Sequence, residues 1–480
     1  MKEKTNEGLT VKKEENFSEW YTELILKSDL ADYTPVSGCI VFKPVAWQIW
    51  EKIRDEVDKR LKKMNVKNVN FPLLIPEYLL SKEQEHVKGF SPEVAWVTQA
   101  GNTRFSERLA IRPTSEAIMY DSFSKWIRSW RDLPLKYNQW SNVVRWEFKH
   151  PIPFFRTREF IFNEGHTVFA TKKEAEAEAM PIINMYKEIL EKFLAIPGII
   201  GKKTDKEKFA GAEYTMTIES YLPNGRAIQG PDFHHDAQNF AKAYHIKFLD
   251  KNGKEEYAWQ NTWAISTRIL GVMIALHSDD KGLVLPPKVA PNKVVIVPIR
   301  SEKDEEILDI SKKLSKTLSK YEPILDERLE VTPGFKFNEW ELKGIPLRIE
   351  LGPRDLKKKQ VIIVRRDTGK KEAVKVRSLK KKIDKLLEDI QNGLFKRAEA
   401  LLNKNLDKAE SFEEAKKKIK ENKLVLVPLK KSMRVEDVLK EKLAGVKTLN
   451  IPLHQPSITG KRCIISKEQA DYWVYIGRSY

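Results

Sequence analysis

Arg145-Trp-Glu-Phe-Lys-His-Pro-Ile-Pro-Phe-Phe-Arg156-Thr-Arg-Glu-Phe160-Ile-Phe-Asn-Glu164 decides how this chain reads. Two charged, aromatic segments flank a basic loop punctuated by Pro151 and Pro153, the pattern of two strands joined by a connection. Side chains alternate along an extended strand, so Val143, Arg145 and Glu147 should face one way and Val144, Trp146 and Phe148 the other. On the return segment the same period puts Arg156, Phe160 and Glu164 on one face. Arginines from both segments then flank a phenylalanine. A guanidinium offers phosphate a planar fork, and the ring offers a base its face. The expectation is a hairpin with one chemical face and one core face, suited to holding a nucleotide.

Working outward, Trp47, Trp50, Ile53, Val57, Leu61 and Met64 recur at three and four, predicting an amphipathic helix from Pro44. A strand ending at Pro76 follows it. Downstream of the hairpin come helical text from Lys172 to Phe193 and a strand-like region from Glu213 to Gln229. Then Ala258, Gln260, Thr262, Ala264, Ser266 and Arg268 alternate with Trp259, Asn261, Trp263, Ile265 and Thr267. One face of that strand is small or polar, which leaves room for a ligand. Arg268 ends it, and Ile269 to His277 reads as a buried helix. Pro286, Pro287 and Pro291 mark a boundary. Beyond it, strands at 293–299, 346–351 and 360–365 alternate with a charged helix from Ser301 to Tyr321, which predicts a small α/β unit. A lysine-rich helix from Ser378 leads to a third unit with strands near 424–428 and 472–477.

At 480 residues the chain exceeds what one core usually organises, and its 41% hydrophobic content can fill several. Lys and Arg outnumber Asp and Glu by 86 to 68, a net charge of +18 that favours a polyanionic partner without identifying it. Two cysteines, Cys39 and Cys463, exclude a disulfide framework and an all-cysteine zinc site. No secretory leader or membrane-spanning run is present in this text, so a reducing cytoplasm is the expected setting, with neither membrane nor DNA as partner.

The R-x-E, loop, R-x-x-x-F-x-x-x-E pattern resembles motif 2 of the class II aminoacyl-tRNA synthetases. Arg112-Pro-Thr-Ser-Glu116, Phe162-Asn-Glu-Gly-His-Thr167, His234-His235 and Asp279-Asp-Lys-Gly-Leu-Val-Leu-Pro-Pro287 narrow the resemblance to the archaeal/eukaryote-like prolyl-tRNA synthetases, from about Phe17 to Tyr480. It implies an α+β fold: a class II antiparallel sheet flanked by helices, an α/β anticodon-binding domain and a small α+β C-terminal domain. The boundaries read as a charged leader at 1–16, a catalytic domain at 17–287, an anticodon-binding domain at 288–395 and a C-terminal domain at 396–480. The 44–76 helix and strand resemble motif 1, which in that family builds a homodimer interface, and the 258–277 strand and helix resemble motif 3.

The implied function is a proline-tRNA ligase. It makes prolyl-adenylate from L-proline and ATP with Mg2+, then moves proline to the 3'-terminal adenosine of tRNA(Pro). By the family pattern Arg145 bridges the substrate carboxylate and the α-phosphate, Arg156 meets the γ-phosphate, and Arg268 reaches the phosphates from motif 3. Glu147 faces the adenine amino group and Phe160 stacks on the ring; Thr157, Ser266 and Gln229 complete the ATP contacts, with Mg2+ near Gln229. Proline, a charged secondary amine on a saturated ring, needs acceptors beside an apolar wall. Thr114 and Glu116 supply the acceptors, and Arg145, Glu164, His166 and His234 are the further pocket positions. Glu341, Arg348 and Arg354 are the anticodon-reading candidates.

Three departures accompany this resemblance: Phe162 replaces a tryptophan, Asp232 precedes the histidines where relatives have small residues and a threonine, and motif 3 lacks glycines. An acidic Asp232 near ATP calls for a compensating cation. The C-terminal unit keeps one cysteine where the family often has several, so no structural zinc and no zinc ligands are expected. Only 93 residues separate Glu164 from Ala258, too few for the editing insertion of many bacterial relatives, which implies some activation of alanine. The alternative, a non-catalytic tRNA-binding protein on the same scaffold, would have lost the three arginines or the Thr114/Glu116 pair.

Overall fold

The computed structural model describes residues 8–86, 93–148, 150–299 and 305–480. Its centre is the strand Glu159–Phe169, paired antiparallel on one side with Leu135–Val144, where Val143 faces Phe160 and Gln139 faces Glu164, and on the other with Trp259–Ala264. The sheet continues through Ala227–Ala237, Tyr214–Tyr221 and Ile199–Lys202, all antiparallel. Its outer edges are the two-residue strands Lys67–Asn68, parallel to 137–138, and Ile451–Pro452. The second of these comes from the last hundred residues of the chain, so the C-terminal unit supplies an edge strand to the catalytic sheet.

The period-two rule assigns the faces. Phe233 and Trp263 point into the main core, where Phe17–Lys27, Pro44–Lys63, Ala179–Glu188 and Arg268–His277 pack against the sheet. Asp232, His234, Thr262, Glu164 and His166 point the opposite way, into a cavity that Glu116, the first residue of the helix Glu116–Trp126, also lines; that helix packs with Asn239–Tyr244 in a second core. The predicted helix does begin at Pro44, with fixed φ at the first turn and three basic side chains in the last. Its buried stripe is Ala46, Ile49, Trp50, Ile53, Val57 and Leu61, whereas Trp47, expected in that stripe, lies exposed and donates to Glu51.

The second unit is a five-stranded sheet in the order 324–325, 294–298, 347–351, 360–365, 371–375, parallel across its first three strands and antiparallel after them. Of the charged helix expected from Ser301, residues 301–304 lie outside the described residues, and Glu305–Thr317 is helical. A third sheet joins 406–408, 424–429, 472–477 and 447–448. One helix, Leu379–Asn405, runs through the expected boundary at 395/396, because its apolar stripe packs on the second sheet at one end and reaches the third unit at the other.

Candidate active site

The hairpin differs from its expected form in one respect. The first strand stops at Val144, and Arg145, Trp146 and Glu147 lie beyond it in a turn, although Arg145 N still donates to Arg158 O at 2.7 Å. Trp146 and Phe148 are consequently not core: each carries a guanidinium over its ring, Arg158 at 4.4 Å and Arg156 at 5.2 Å. Val143, placed by simple alternation on the chemical face, is fully buried. Glu147 is exposed and does not line the cavity. On the return strand the alternation holds, and Phe160, Phe162, Glu164 and His166 line one wall.

The cavity has a volume of about 680 Å3. At one end three guanidiniums converge. Arg145 Nε is anchored on Pro113 O at 3.0 Å with its charge 5.4 Å from the Phe160 ring. Arg268 is the first residue of its helix rather than the last of the strand, which ends at Ala264; it donates to Phe155 O at 3.2 Å and Gln229 O at 3.4 Å. Burial lowers the pKa of Arg268, the charge of Asp232 opposes that, and Arg145 and Arg156 add repulsion. Mutual repulsion in such a cluster favours bringing an anion in. Arg156 stands at the border with a smaller space of about 110 Å3, which Lys203, Lys447 and the C-terminal Tyr480 also line. Thr157 is buried beside Phe155, Arg156 and Ser266 in a crevice next to the main cavity.

The other end carries carboxylates. Thr114 Oγ1 sits between Glu116, to which it is closely hydrogen bonded, and Glu164 Oε1 at 2.9 Å. Glu164 is satisfied by its own chain: Ser115 N donates to it at 2.9 Å, and the hydroxyls of Ser115 and Ser141 complete its shell. It therefore shapes the 114–116 turn. Glu116 has no such shell. Burial pushes its carboxyl upward, against the hydrogen bonds of Thr114 and its own backbone and the charges of Arg145 and His234, and no described side chain forms an ion pair with it. His166 bonds Tyr120 Oη at 3.1 Å, and burial holds its pKa down at about 4, so it is neutral. His234 Nδ1 meets Thr215 Oγ1 at 2.8 Å; burial lowers its pKa despite Asp232 and Glu116.

The compensation that Asp232 needs comes from three sides: Gln229 Nε2 donates to its Oδ2 at 3.0 Å, His234 Nε2 lies 3.6 Å from Oδ1, and Arg268 supplies charge. Phe209, Thr215 and Met433 line the cavity without having carried a signal in the sequence, and neither did Ser141, which with Ser115 of the 112–116 motif supports Glu164. Gly165 also matters, because a Cβ there would lie inside the Trp263 indole that floors the site. Phe209 could be found only through its place over His234, with ring centroids 4.8 Å apart. The C-terminal residue is likewise drawn in: Tyr480 stacks on Phe155 at 5.0 Å, and Phe155 on Tyr21 at 4.7 Å, behind the carbonyl that holds Arg268.

In the second unit Glu341 lies on the helix Pro333–Leu342 and Arg354 on Pro353–Lys357. Arg348, expected to read a base, is buried and spends its guanidinium on Glu350 at 3.0 Å and Glu341 at 3.3 Å, which makes it a support for Glu341. Among the described residues no group of three His, Cys, Asp or Glu side chains could hold a metal ion, and Cys463 is buried in an apolar cluster.

Three family models match this chain: tRNA synthetase class II core domain (G, H, P, S and T) over residues 97–277, anticodon binding domain over 293–386, and prolyl-tRNA synthetase, C-terminal, over 412–480. The chain is similar to the cytoplasmic proline-tRNA ligase of Arabidopsis thaliana, at 45% identity over 100% of this chain and 92% of that relative. It is similar to proline-tRNA ligase 2 of Bacillus thuringiensis (strain Al Hakam), at 45% identity over 98% of each. A crystal structure of prolyl-tRNA synthetase from Cryptosporidium parvum complexed with halofuginone and AMPPNP superposes with a TM-score of 0.94, at 41% identity, covering 99% of this chain and 98% of that one.

Proposed function

The chain belongs to the prolyl-tRNA synthetases, class II ligases that join proline to tRNA, and we propose that the 680 Å3 cavity carries both half-reactions through its own arginines and carboxylates. The observation that carries this reading is a buried Glu116, with no ion-pair partner among the described residues, in a space that Arg145 and Arg268 also line and Arg156 borders. Proline is a ligand with a cationic nitrogen and an anionic carboxylate, and ATP brings the phosphates.

Glu116 and Thr114 accept the two N–H bonds of the proline nitrogen, and His166, His234, Phe162 and Trp263 wall the ring. The proline carboxylate is then directed toward Arg145. One of its oxygens attacks the α-phosphorus of ATP, a P–O bond forms, and the bond to pyrophosphate breaks. The two anions repel until their charge is met, and Arg145, Arg156 and Arg268 meet it without reorganising. No side chain acts as nucleophile; the site contributes orientation and charge. In the second step the terminal ribose hydroxyl of tRNA(Pro) attacks the acyl carbon and AMP departs.

Phe160 offers its face to adenine, and Ser266, Thr157 and Gln229 border the nucleotide; Glu147 reaches the adenine edge only if the 145–148 turn moves inward. Mg2+ travelling with ATP needs one or two protein oxygens, and Asp232 Oδ1, buried without a hydrogen-bond partner beside Gln229, fits that need. Glu341 and Arg354 meet the anticodon, with Arg348 fixing Glu341. We take the units as 17–287, 288–395 and 396–480, the last boundary falling within the continuous Leu379–Asn405 helix. A homodimer and a cytoplasmic setting complete the reading, supported by the half-exposed apolar Tyr33, Val36 and Val41 before the Pro44–Lys63 helix and by cysteines that form no disulfide. No described helix is long and apolar enough to cross a membrane.

Arg145→Ala should abolish proline-dependent ATP–pyrophosphate exchange while leaving tRNA(Pro) binding within about twofold, since loss of an interaction made in the transition state appears in kcat. Normal exchange by that variant would overturn the site.

A further inference from the structure

We propose that Glu436, a residue of the C-terminal unit, positions the 204–210 loop at the amino-acid end of the cavity and thereby sets how well the site distinguishes proline from alanine. This rests on the assignment of that end of the cavity to proline.

Residues 205–210 line the cavity as a single short wall. The wall starts at Thr204, whose carbonyl accepts from Glu207 N at 3.1 Å and Lys208 N at 2.9 Å, and ends where Phe209 N donates to Thr215 Oγ1 at 3.0 Å. That same hydroxyl meets His234 Nδ1, and the Phe209 ring lies over the His234 ring. The side chains at the proline end are thus held through a loop that has no helix or strand of its own.

The C-terminal unit fixes this loop. Glu436, on the helix Met433–Lys442, is 5% exposed, and its Oε2 accepts from Thr204 Oγ1 at 2.8 Å and from Thr448 Oγ1 at 2.5 Å. The two hydroxyls are themselves 3.3 Å apart. A buried carboxylate is costly unless hydrogen bonded, and no described cation forms an ion pair with this one; burial raises its pKa against the pull of Thr448 and Thr204. Its side-chain hydrogen-bond partners are the pair of threonines, one from each unit, with the charges of Glu207 and Lys206 acting from the loop. Around this buried pin lie surface contacts in the same place: Lys206 with Asp437, Lys431 with Asp205 at 3.2 Å, and Lys447 with Glu207 at 3.8 Å. The edge strand Ile451–Pro452 pairs with Ile199–Lys202, with Ile451 opposite Lys202, so the backbone enters the loop already fixed to the C-terminal unit.

Although Glu207 and Thr448 border the small space beside Arg156, the guanidiniums of Arg145 and Arg268 are held by other means, through Pro113 O, Phe155 O and Gln229 O. Loosening the loop should leave them in place. Proline differs from alanine by two ring carbons and the secondary amine their closure creates, and an apolar wall discriminates the lost ring contact by about tenfold or more when it is tightly placed. A wall free to retreat loses that factor while the charged contacts to nitrogen and carboxylate remain.

The test measures ATP–pyrophosphate exchange by the full-length enzyme with proline and with alanine. Glu436→Ala should raise KM for proline by about five- to tenfold and shrink the proline-to-alanine ratio of kcat/KM by a similar factor, with KM for ATP within about twofold. Glu436→Gln, whose amide oxygen still accepts from both hydroxyls, should restore both values. Thr204→Val carries the same expectation if Glu436→Ala fails to fold. Asp407→Asn, which loosens the C-terminal sheet at its contacts with Lys418 and Lys423, should not move the ratio. An unchanged ratio in both Glu436→Ala and Thr204→Val, or an equal change in Asp407→Asn, would overturn the proposal. Glu116→Gln is measured alongside: if it too leaves KM for proline unchanged, the pocket assignment has failed, whereas a raised KM there with an unchanged ratio in the loop variants rejects only the role of Glu436.

Discussion

Arg366 of the second unit closes on Asp279 through two parallel hydrogen bonds, Nη1 to Oδ2 at 2.9 Å and Nη2 to Oδ1 at 2.6 Å, two residues beyond the helix that begins with Arg268. The same guanidinium donates from Nε to Glu341 O at 2.7 Å. Burial raises the Asp279 carboxyl, and the Arg366 hydrogen bonds and charge more than reverse that, leaving it below the usual carboxylate range. Catalytic and second units are thereby fixed at a point that adjoins both Glu341, an anticodon candidate, and the end of the helix that Arg268 begins.

Arg366→Lys keeps the charge but cannot reproduce the fork. On the proposed reading a tRNA lies across both units at once, whereas proline and ATP occupy one. We expect kcat/KM for aminoacylation to fall about tenfold with pyrophosphate exchange within about twofold of wild type, comparing the two assays on one preparation. Equal losses in both would place the effect in the catalytic unit alone.

Arg268→Lys addresses the phosphate end. One ammonium cannot serve both Phe155 O and Gln229 O and still face the transferring phosphoryl group. The expected loss is about a hundredfold in kcat for exchange, the usual scale for removing one preorganised donor, with a smaller change in KM for ATP. Single-turnover adenylate formation would measure it.

Glu116 makes opposite predictions for stability and for binding. Its folded pKa is raised, by burial first, so the stability linked to its proton is complete below the ordinary value of 4.5 and is lost as pH rises through the folded pKa. Glu116→Gln should therefore raise the thermal midpoint of the ligand-free protein at pH 7.5 and leave it nearly unchanged near pH 4. On the proposed pocket, proline is held by the ionised form, so wild-type kcat/KM for proline should decline as pH falls through that raised pKa, and the variant should lose affinity for proline at every pH. Calorimetry and exchange kinetics read the two effects separately.

His166 sits buried and neutral with a pKa of about 4, against an ordinary 6.5, the desolvation of its charged form outweighing the attraction of Glu164. Between those values the unfolded chain binds the proton more tightly, so stability falls as pH drops from 6.5 and the loss is complete near 4. The linked contribution is on the order of 3 kcal/mol. Urea unfolding of His166→Phe should show a shallower loss between pH 6.5 and 4.5 than wild type. Identical slopes would mean that the imidazole is already charged in the folded protein.

Much of the site was legible because strand alternation is local. Phe160, Glu164 and His166 share a wall, as do Thr262, Ala264 and Ser266, and the period of two needs nothing beyond the neighbouring residues. The reading failed where the strand ended. Val144 is the last paired residue, and past it the orientation of Trp146 and Phe148 follows the guanidiniums of Arg158 and Arg156, which no periodicity encodes. Arg348 misled for a related reason: a basic residue beside an expected reading surface is buried because Glu341 and Glu350 converge on it from two elements.

The sequence by itself determined the three-unit α+β plan, the helix from Pro44, the strand faces and the residue types able to meet a phosphate chain and a charged amine, since all of these follow from spacing along the chain. Tertiary structure alone decided that Glu164 is satisfied by Ser115 and Ser141 while buried Glu116 has no ion-pair partner among the described residues, that Tyr480 stacks behind Arg268, and that Glu436 reaches Thr204. Those relationships join residues up to hundreds of positions apart. Their energies depend on burial and on which donor arrives at which oxygen, and a linear pattern carries neither quantity.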